Sequence, residues 1–181
     1  RHYDDMLPDR TFYQNKNIRS MILPSSLKRV GVGVYCESRL MYSTLEVPEG
    51  VTYIGENAFA YTEYNGMTLK LPNSLDSIEG GVLTKCSWDC EFNIPENLKY
   101  IGGTWHFSAG SPRLKGTFRV PSNLRVIPEG AFCGMGSDGS FTGEIEIPQG
   151  VTEIGEAAFS GLAIKNRINL TLPQGVKKIG H

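Results

Sequence analysis

The sequence predicts a right-handed solenoid of about seven rungs, built on a parallel β-sheet with short second strands and single helical turns. Three observations carry this. Seven prolines recur at a near-constant interval, four apolar columns keep fixed offsets from them, and an aromatic column follows. Pro24, Pro48, Pro72, Pro95, Pro121, Pro148 and Pro173 are separated by 24, 24, 23, 26, 27 and 25 residues.

Positions are numbered below relative to each proline. At −3 stand Met21, Leu45, Leu69, Phe92, Phe118, Ile145 and Leu170. At −1 stand Leu23, Val47, Leu71, Ile94, Val120, Ile147 and Leu172. At +3 come Leu27, Val51, Leu75, Leu98, Leu124, Val151 and Val176, and at +6 Val30, Ile54, Ile78, Ile101, Ile127, Ile154 and Ile179. All of these positions are apolar in a chain that is 40% apolar overall, which chance does not produce. Position +7 is Gly in five rungs (Gly31, Gly55, Gly102, Gly155, Gly180). Position +11 is Tyr35, Phe59, Leu83, His106, Phe132 and Phe159, with His106 the one break, flanked by Trp105 and Phe107.

Apolar residues at −3 and −1 around an outward −2 give the period of a strand with one buried face. Strands are therefore expected near 20–23, 44–47, 68–71, 91–94, 117–120, 144–147 and 169–172. Proline ends each one, since it has no N–H for a ladder. The pairs that follow, such as Glu49-Gly50 and Asn73-Ser74, read as turns. A shorter second sheet is expected around +3 to +6, and a bend at positive φ at the +7 glycine. Gly55 to Phe59 reads as one helical turn that plugs the rung with its ring. Parallel crossovers of this kind are right-handed by strong default.

One rung cannot bury its own apolar edge, but a stack can. The whole chain, 1–181, therefore reads as a single domain. It divides into a partial repeat over 1–20, full repeats over about 21–168 and a partial repeat over 169–181. Both ends fall inside repeats, so the expectation is terminal caps or an excerpt of a longer array.

Composition narrows the partner. Eighteen Lys and Arg against nineteen Asp and Glu leave a net charge of −1, without the basic footprint that nucleic-acid binding requires. No window reaches the run of ~18 apolar residues that a membrane helix needs. Four cysteines are too few for a disulfide framework in 181 residues. Cys36 and Cys133 share column +12 four rungs apart, too far for a bridge, and are expected to be unpaired. Cys86 and Cys90 read first as a small inward position and its neighbour, with a disulfide as the alternative.

The unit L-x-L-P-x-x-L-x-x-I-G-x-x-A-F has its best copies at Leu45 to Phe59 and Ile145 to Phe159. It resembles the BspA-like leucine-rich repeat, and the resemblance covers residues 6–180. The departures are Glu79 and Pro128 in place of Gly, and Trp105-His106 in place of Ala-Phe. Members of that family are typically secreted or surface-displayed proteins of host-associated bacteria, and several are similar to adhesins. The resemblance therefore implies a secreted or cell-surface protein with a protein or glycoprotein ligand, on host matrix or on other cells. It carries no catalytic residue over.

The residues themselves show no enzyme and no cofactor. The three histidines are scattered, and there is no H-E-x-x-H, no C-x-x-C pair and no P-loop. Gly134 to Gly139 contains G-x-G, but it does not join a strand to a full helix. The expected function is non-enzymatic binding. Two alternatives stand beside it, a structural spacer and a glycan-binding surface. Aromatics in the variable loops favour binding over a spacer.

Two surfaces are candidates. The first is the outward −2 row of Ile22, Glu46, Lys70, Asn93, Arg119, Glu146 and Thr171, in which Glu46 with Lys70 and Arg119 with Glu146 are neighbours across one strand spacing. The second is the pair of loops in the two longest periods. They carry Trp105, His106, Phe107 and Arg113 in one and Asp138 and Phe141 in the next, and insertions of this kind often form a binding face. The alternative for Trp105 and Phe107 is burial in place of the missing column ring.

Overall fold

The computed structural model describes residues 5–41, 44–64, 68–85, 94–103, 118–134, 145–161 and 170–180. Among them run fifteen short strands. The first eight are β1 (Met6–Leu7), β2 (Arg29–Val30), β3 (Arg39–Leu40), β4 (Thr44–Glu46), β5 (Tyr53–Ile54), β6 (Glu63–Tyr64), β7 (Thr68–Lys70) and β8 (Ser77–Ile78). The rest are β9 (Tyr100–Ile101), β10 (Phe118–Arg119), β11 (Val126–Ile127), β12 (Ile145–Glu146), β13 (Glu153–Ile154), β14 (Leu170–Thr171) and β15 (Lys178–Ile179). Every pairing among them is parallel and joins one rung to the next at the same repeat position. The chain is a β-solenoid.

The ladders are distributed differently from the expectation. The strand before the proline forms β4 with β7, and β10 with β12 and β14. Residues 20–23 make no strand, residues 91–93 fall outside the described residues, and Ile94 is buried without a strand. The strands at +5 and +6 are short, two residues each against three in β4 and β7, but among the described residues their ladder joins more rungs. Strands β1, β2, β5, β8 and β9 run without a break, and β11, β13 and β15 continue beyond an interruption. The longest unbroken stack is thus five rungs, against the seven that the prolines suggest. A third short ladder, β3 with β6, follows the aromatic column and is extended by a bridge from Ile18 to Leu40.

Each of the seven column prolines opens a turn. Its carbonyl accepts the N–H of the +3 residue in all seven rungs, from Leu27 to Val176, at 3.0–3.2 Å. That bond swings the +3 side chain inward. Leu27, Val51, Leu75, Leu98, Leu124 and Val151 are all buried, as are the +6 residues from Val30 to Ile154. In the last rung Leu170, Leu172 and Ile179 are exposed, because no described rung lies beyond them.

No helical turn forms at +7 to +11 among the described residues. Overlapping β-turns take its place. In the Phe59 rung the Ala58 N–H donates to the Gly55 carbonyl at 3.3 Å and the Ala60 N–H to the Asn57 carbonyl at 3.1 Å. The alternate N–H groups, of Asn57, Phe59 and Tyr61, leave the rung for the carbonyls of Gly80, Val82 and Thr84 at 3.0, 3.2 and 2.8 Å. A helix keeps both sets inside one segment; here half of them tie the stack together.

This alternation needs left-handed residues, and they recur at +9 and +13 rather than at +7. Arg10, Gly33, Asn57, Gly81, Gly130 and Ala157 have φ between 52° and 69° at +9. Gln14, Glu37, Tyr61, Lys85, Gly134 and Gly161 have φ between 50° and 76° at +13. The +7 glycines serve close approach instead. A Cβ on Gly55 would lie 2.7 Å from the carbonyl carbon of Gly31 in the preceding rung.

The aromatic column stands where it was expected. Phe12 stacks on Tyr35 at 5.3 Å, Tyr35 on Phe59 at 5.4 Å, and Phe132 on Phe159 at 5.5 Å between ring centroids. Two buried hydroxyls hold the end of the turn run. Ser38 Oγ donates to the Phe12 carbonyl and Thr62 Oγ1 to the Phe59 carbonyl.

Candidate binding face

The −2 row lies outward, as the alternation requires. Ile22, Glu46, Lys70, Arg119, Glu146 and Thr171 are all exposed, while the flanking Leu45, Val47, Val120, Ile145 and Ile147 are buried. Register places Glu46 opposite Lys70, Arg119 opposite Glu146, and Glu146 opposite Thr171. These side chains therefore follow one another at one strand spacing, ~4.8 Å. Arg119 Nε donates to Glu146 Oε2 at 2.7 Å. That hydrogen bond, and then the opposite charge, raise the Arg119 pKa above its ordinary value.

The row begins in a groove lined by Met21, Ile22, Leu23, Ser25, Thr44, Glu46 and Pro48. Ile22 is 96% exposed at its mouth, an apolar side chain where every other described rung carries a polar one. Residues 20–23, three of which line the groove, do not join the ladder beside β4.

Six other candidates, Trp105, His106, Phe107, Arg113, Asp138 and Phe141, lie outside the described residues, as do Asn93, Cys86 and Cys90. Cys36 and Cys133 are free thiols, as expected from their separation. Burial pushes the Cys36 thiol pKa up, and the Glu37 charge adds to that.

Sequence reasoning overlooked a second decorated face. The +5 residues alternate with the buried +6 column, and at +4 and +5 three pairs of side chains meet between adjacent rungs. The Arg29 guanidinium lies over the Tyr53 ring at 4.0 Å. Lys99 Nζ meets Asp76 at 2.7 Å, and Lys178 Nζ meets Glu153 at 3.6 Å. Extending the alternation argument from −2 to +5 finds Arg29, Tyr53, Glu153 and Lys178, but not Asp76 and Lys99, which stand at +4. A third cluster sits at the +12 and +13 corner, where Glu37 accepts from Gln14 Nε2 at 2.9 Å and Tyr13 Oη at 3.2 Å.

No group of three or more potential metal ligands occurs among the described residues, and no described helix is long and apolar enough to cross a membrane. The row of exposed charges thus ends at a groove lined by both apolar and polar side chains.

Stacked parallel rungs with this column pattern define a leucine-rich-repeat solenoid, a fold that typically serves as a non-enzymatic scaffold for protein interaction. The chain matches the BspA type leucine rich repeat region in six copies, over residues 5–138 and 137–181, and belongs to that family. Among solved structures it is similar to a leucine rich repeat protein of T. pallidum. The TM-score is 0.67 at 21% identity, over 97% of this chain and 77% of that one. A leucine-rich repeat protein from Bacteroides ovatus gives a TM-score of 0.41 at 18% identity, over 97% of this chain and 66% of that one. A leucine rich cell surface protein from Faecalibacterium prausnitzii gives 0.41 at 16%, over 97% of this chain and 60% of that one. The chain thus spans about two thirds or less of the length of the last two. No curated protein matches the sequence.

Proposed function

We propose that this chain is a non-enzymatic binding module of a secreted or cell-surface protein, with a protein or glycoprotein as its ligand. The observation that carries the reading is the −2 row. Glu46, Lys70, Arg119 and Glu146 are held outward by strands whose opposite sides are anchored in the core. A backbone already fixed on a ladder loses little further freedom when a partner docks, which lowers the cost of association. Ile22 and its groove supply an apolar anchor beside them. The loop residues Trp105, His106, Phe107, Arg113, Asp138 and Phe141 belong to the same proposal on sequence grounds, since exposed aromatics and Arg are frequent interface anchors. The surface location is proposed from membership of the BspA type leucine rich repeat family.

The test is to immobilise the chain and probe it with host-matrix proteins, other glycoproteins and a glycan array. Saturable binding to a protein or glycoprotein is expected. It should weaken at least about tenfold in a Lys70→Ala, Arg119→Ala, Glu146→Ala variant that keeps its circular dichroism. Trp105→Ala with Phe141→Ala tests the loops in the same assay. Binding to free glycans alone, or binding that both variants leave intact, overturns the assignment.

A further inference from the structure

The ladder at +5 and +6 is interrupted once. The first set ends at Ile101 in β9 and the second opens at Val126 in β11. Elsewhere along this edge the +7 N–H donates to the +6 carbonyl of the preceding rung. Gly31 reaches Leu7, Gly55 Val30, Glu79 Ile54, Gly102 Ile78, Gly155 Ile127 and Gly180 Ile154, all at 2.7–3.0 Å. In the rung of Pro121 the +7 residue is Pro128, which has no N–H. The side chain by itself does not break the ladder, because Glu79 keeps its bond to Ile54 at 3.0 Å.

The bond three residues earlier is missing at the same joint. The N–H groups of Thr52, Asp76, Lys99, Thr152 and Lys177 each donate to the +4 carbonyl of the rung before, at 2.8–3.0 Å. Among the described residues Arg125 makes no such bond to Lys99, and Val126 makes none either. Across the same joint Leu98, Ile101, Leu124 and Ile127 remain buried in one continuous core. Ser122 N–H also reaches Glu96 Oε1 at 3.3 Å. The packed interior holds the joint while its outer ladder stays open.

We infer that the joint between Ile101 and Ile127 is the flexure of the solenoid, where the stacks of residues 5–101 and 118–180 change inclination, and that Pro128 creates it. Apolar packing tolerates small rotations, whereas a hydrogen-bonded ladder fixes distance and direction. Among the described residues this junction keeps the first and lacks the second from +4 to +7, and bending costs less there than at the joints that have both.

Amide hydrogen exchange on the whole chain tests this. Arg125 and Val126 should exchange at least about tenfold faster than Asp76 and Thr152. Pro128→Gly restores a donor in the residue type that most rungs use, and should slow both amides toward their counterparts. Equal protection in the parent chain, or unchanged exchange in a folded Pro128→Gly variant, overturns the inference. A second measurement does not depend on that variant folding. In a background with all four cysteines replaced by serine, spin labels at positions 99 and 125 should give a broader distance distribution than labels at 28 and 52. Equal widths likewise overturn it.

Discussion

Arg119 and Glu146, separated by 27 positions in the chain, form a side-chain hydrogen bond of 2.7 Å because each sits two residues before a proline in adjacent rungs. Both side chains are more than half exposed, so water competes for them. Exposed pairs add little to stability. Arg119→Ala should therefore lower the thermal unfolding midpoint by no more than about 3 °C. A larger drop, followed by circular dichroism, would show that the −2 row holds the stack together instead of decorating it.

The aromatic column should behave in the opposite way. Phe59 is fully buried and stacks on Tyr35, so Phe59→Ala leaves a cavity that the rungs above and below cannot fill. The expected loss is about 3–5 kcal/mol in denaturant unfolding. Phe159, which is only partly buried, should lose distinctly less on the same substitution.

Glycines in the rung are not equivalent. In Gly55→Ala the new methyl would meet the backbone of Gly31 and Val32, forcing two rungs apart at a cost of about 3 kcal/mol. Gly33→Ala meets nothing nearer than 3.7 Å and strains only a left-handed φ of 59°, a cost of about 1–2 kcal/mol. Ala157 already bears that strain at φ 52°, and Ala157→Gly should stabilise by up to about 1 kcal/mol. Equilibrium unfolding of the three variants checks the order.

The corner at Glu37 gives a pH signature. Hydrogen bonds from Gln14 and then Tyr13 lower the Glu37 pKa, and the Lys16 charge assists. The Tyr13 pKa is raised, chiefly by its hydrogen bond to Glu37. A lowered carboxyl pKa contributes stability above its unfolded value, lost as pH falls through the folded one. A raised phenol pKa contributes below its unfolded value, lost as pH rises through the folded one. Both groups lie at the surface, Tyr13 exposed and Glu37 half-buried, so the effects are small and are best read by NMR titration. Glu37 should titrate below an ordinary glutamate, and Gln14→Ala should move its midpoint upward. An unchanged midpoint would remove Gln14 as the cause.

The fold and the outward row were legible in the sequence because both follow from periodicity. Column spacing fixes which side chains point inward, and alternation then fixes −2 as outward, so Glu46 faces Lys70 without any knowledge of coordinates. The +5 row obeys the same rule, and Arg29 over Tyr53 was readable from it. The loops around Trp105 and Phe141 have no period, and alternation places nothing there.

The sequence by itself determined the solenoid, its rung length, its buried columns and the stacked rings, since each depends only on which residues recur at which spacing. The tertiary structure alone decided how the backbone N–H groups are satisfied. Whether Asn57 bonds within its own rung or to Gly80 in the next depends on a neighbour 23 residues away, which local propensity cannot register. That choice turned an expected helical turn into overlapping β-turns, moved the left-handed residues to +9 and +13, and left Gly55 a position of close approach. It also gave Pro128 its consequence, because a missing donor matters only where a carbonyl of another rung lies opposite it.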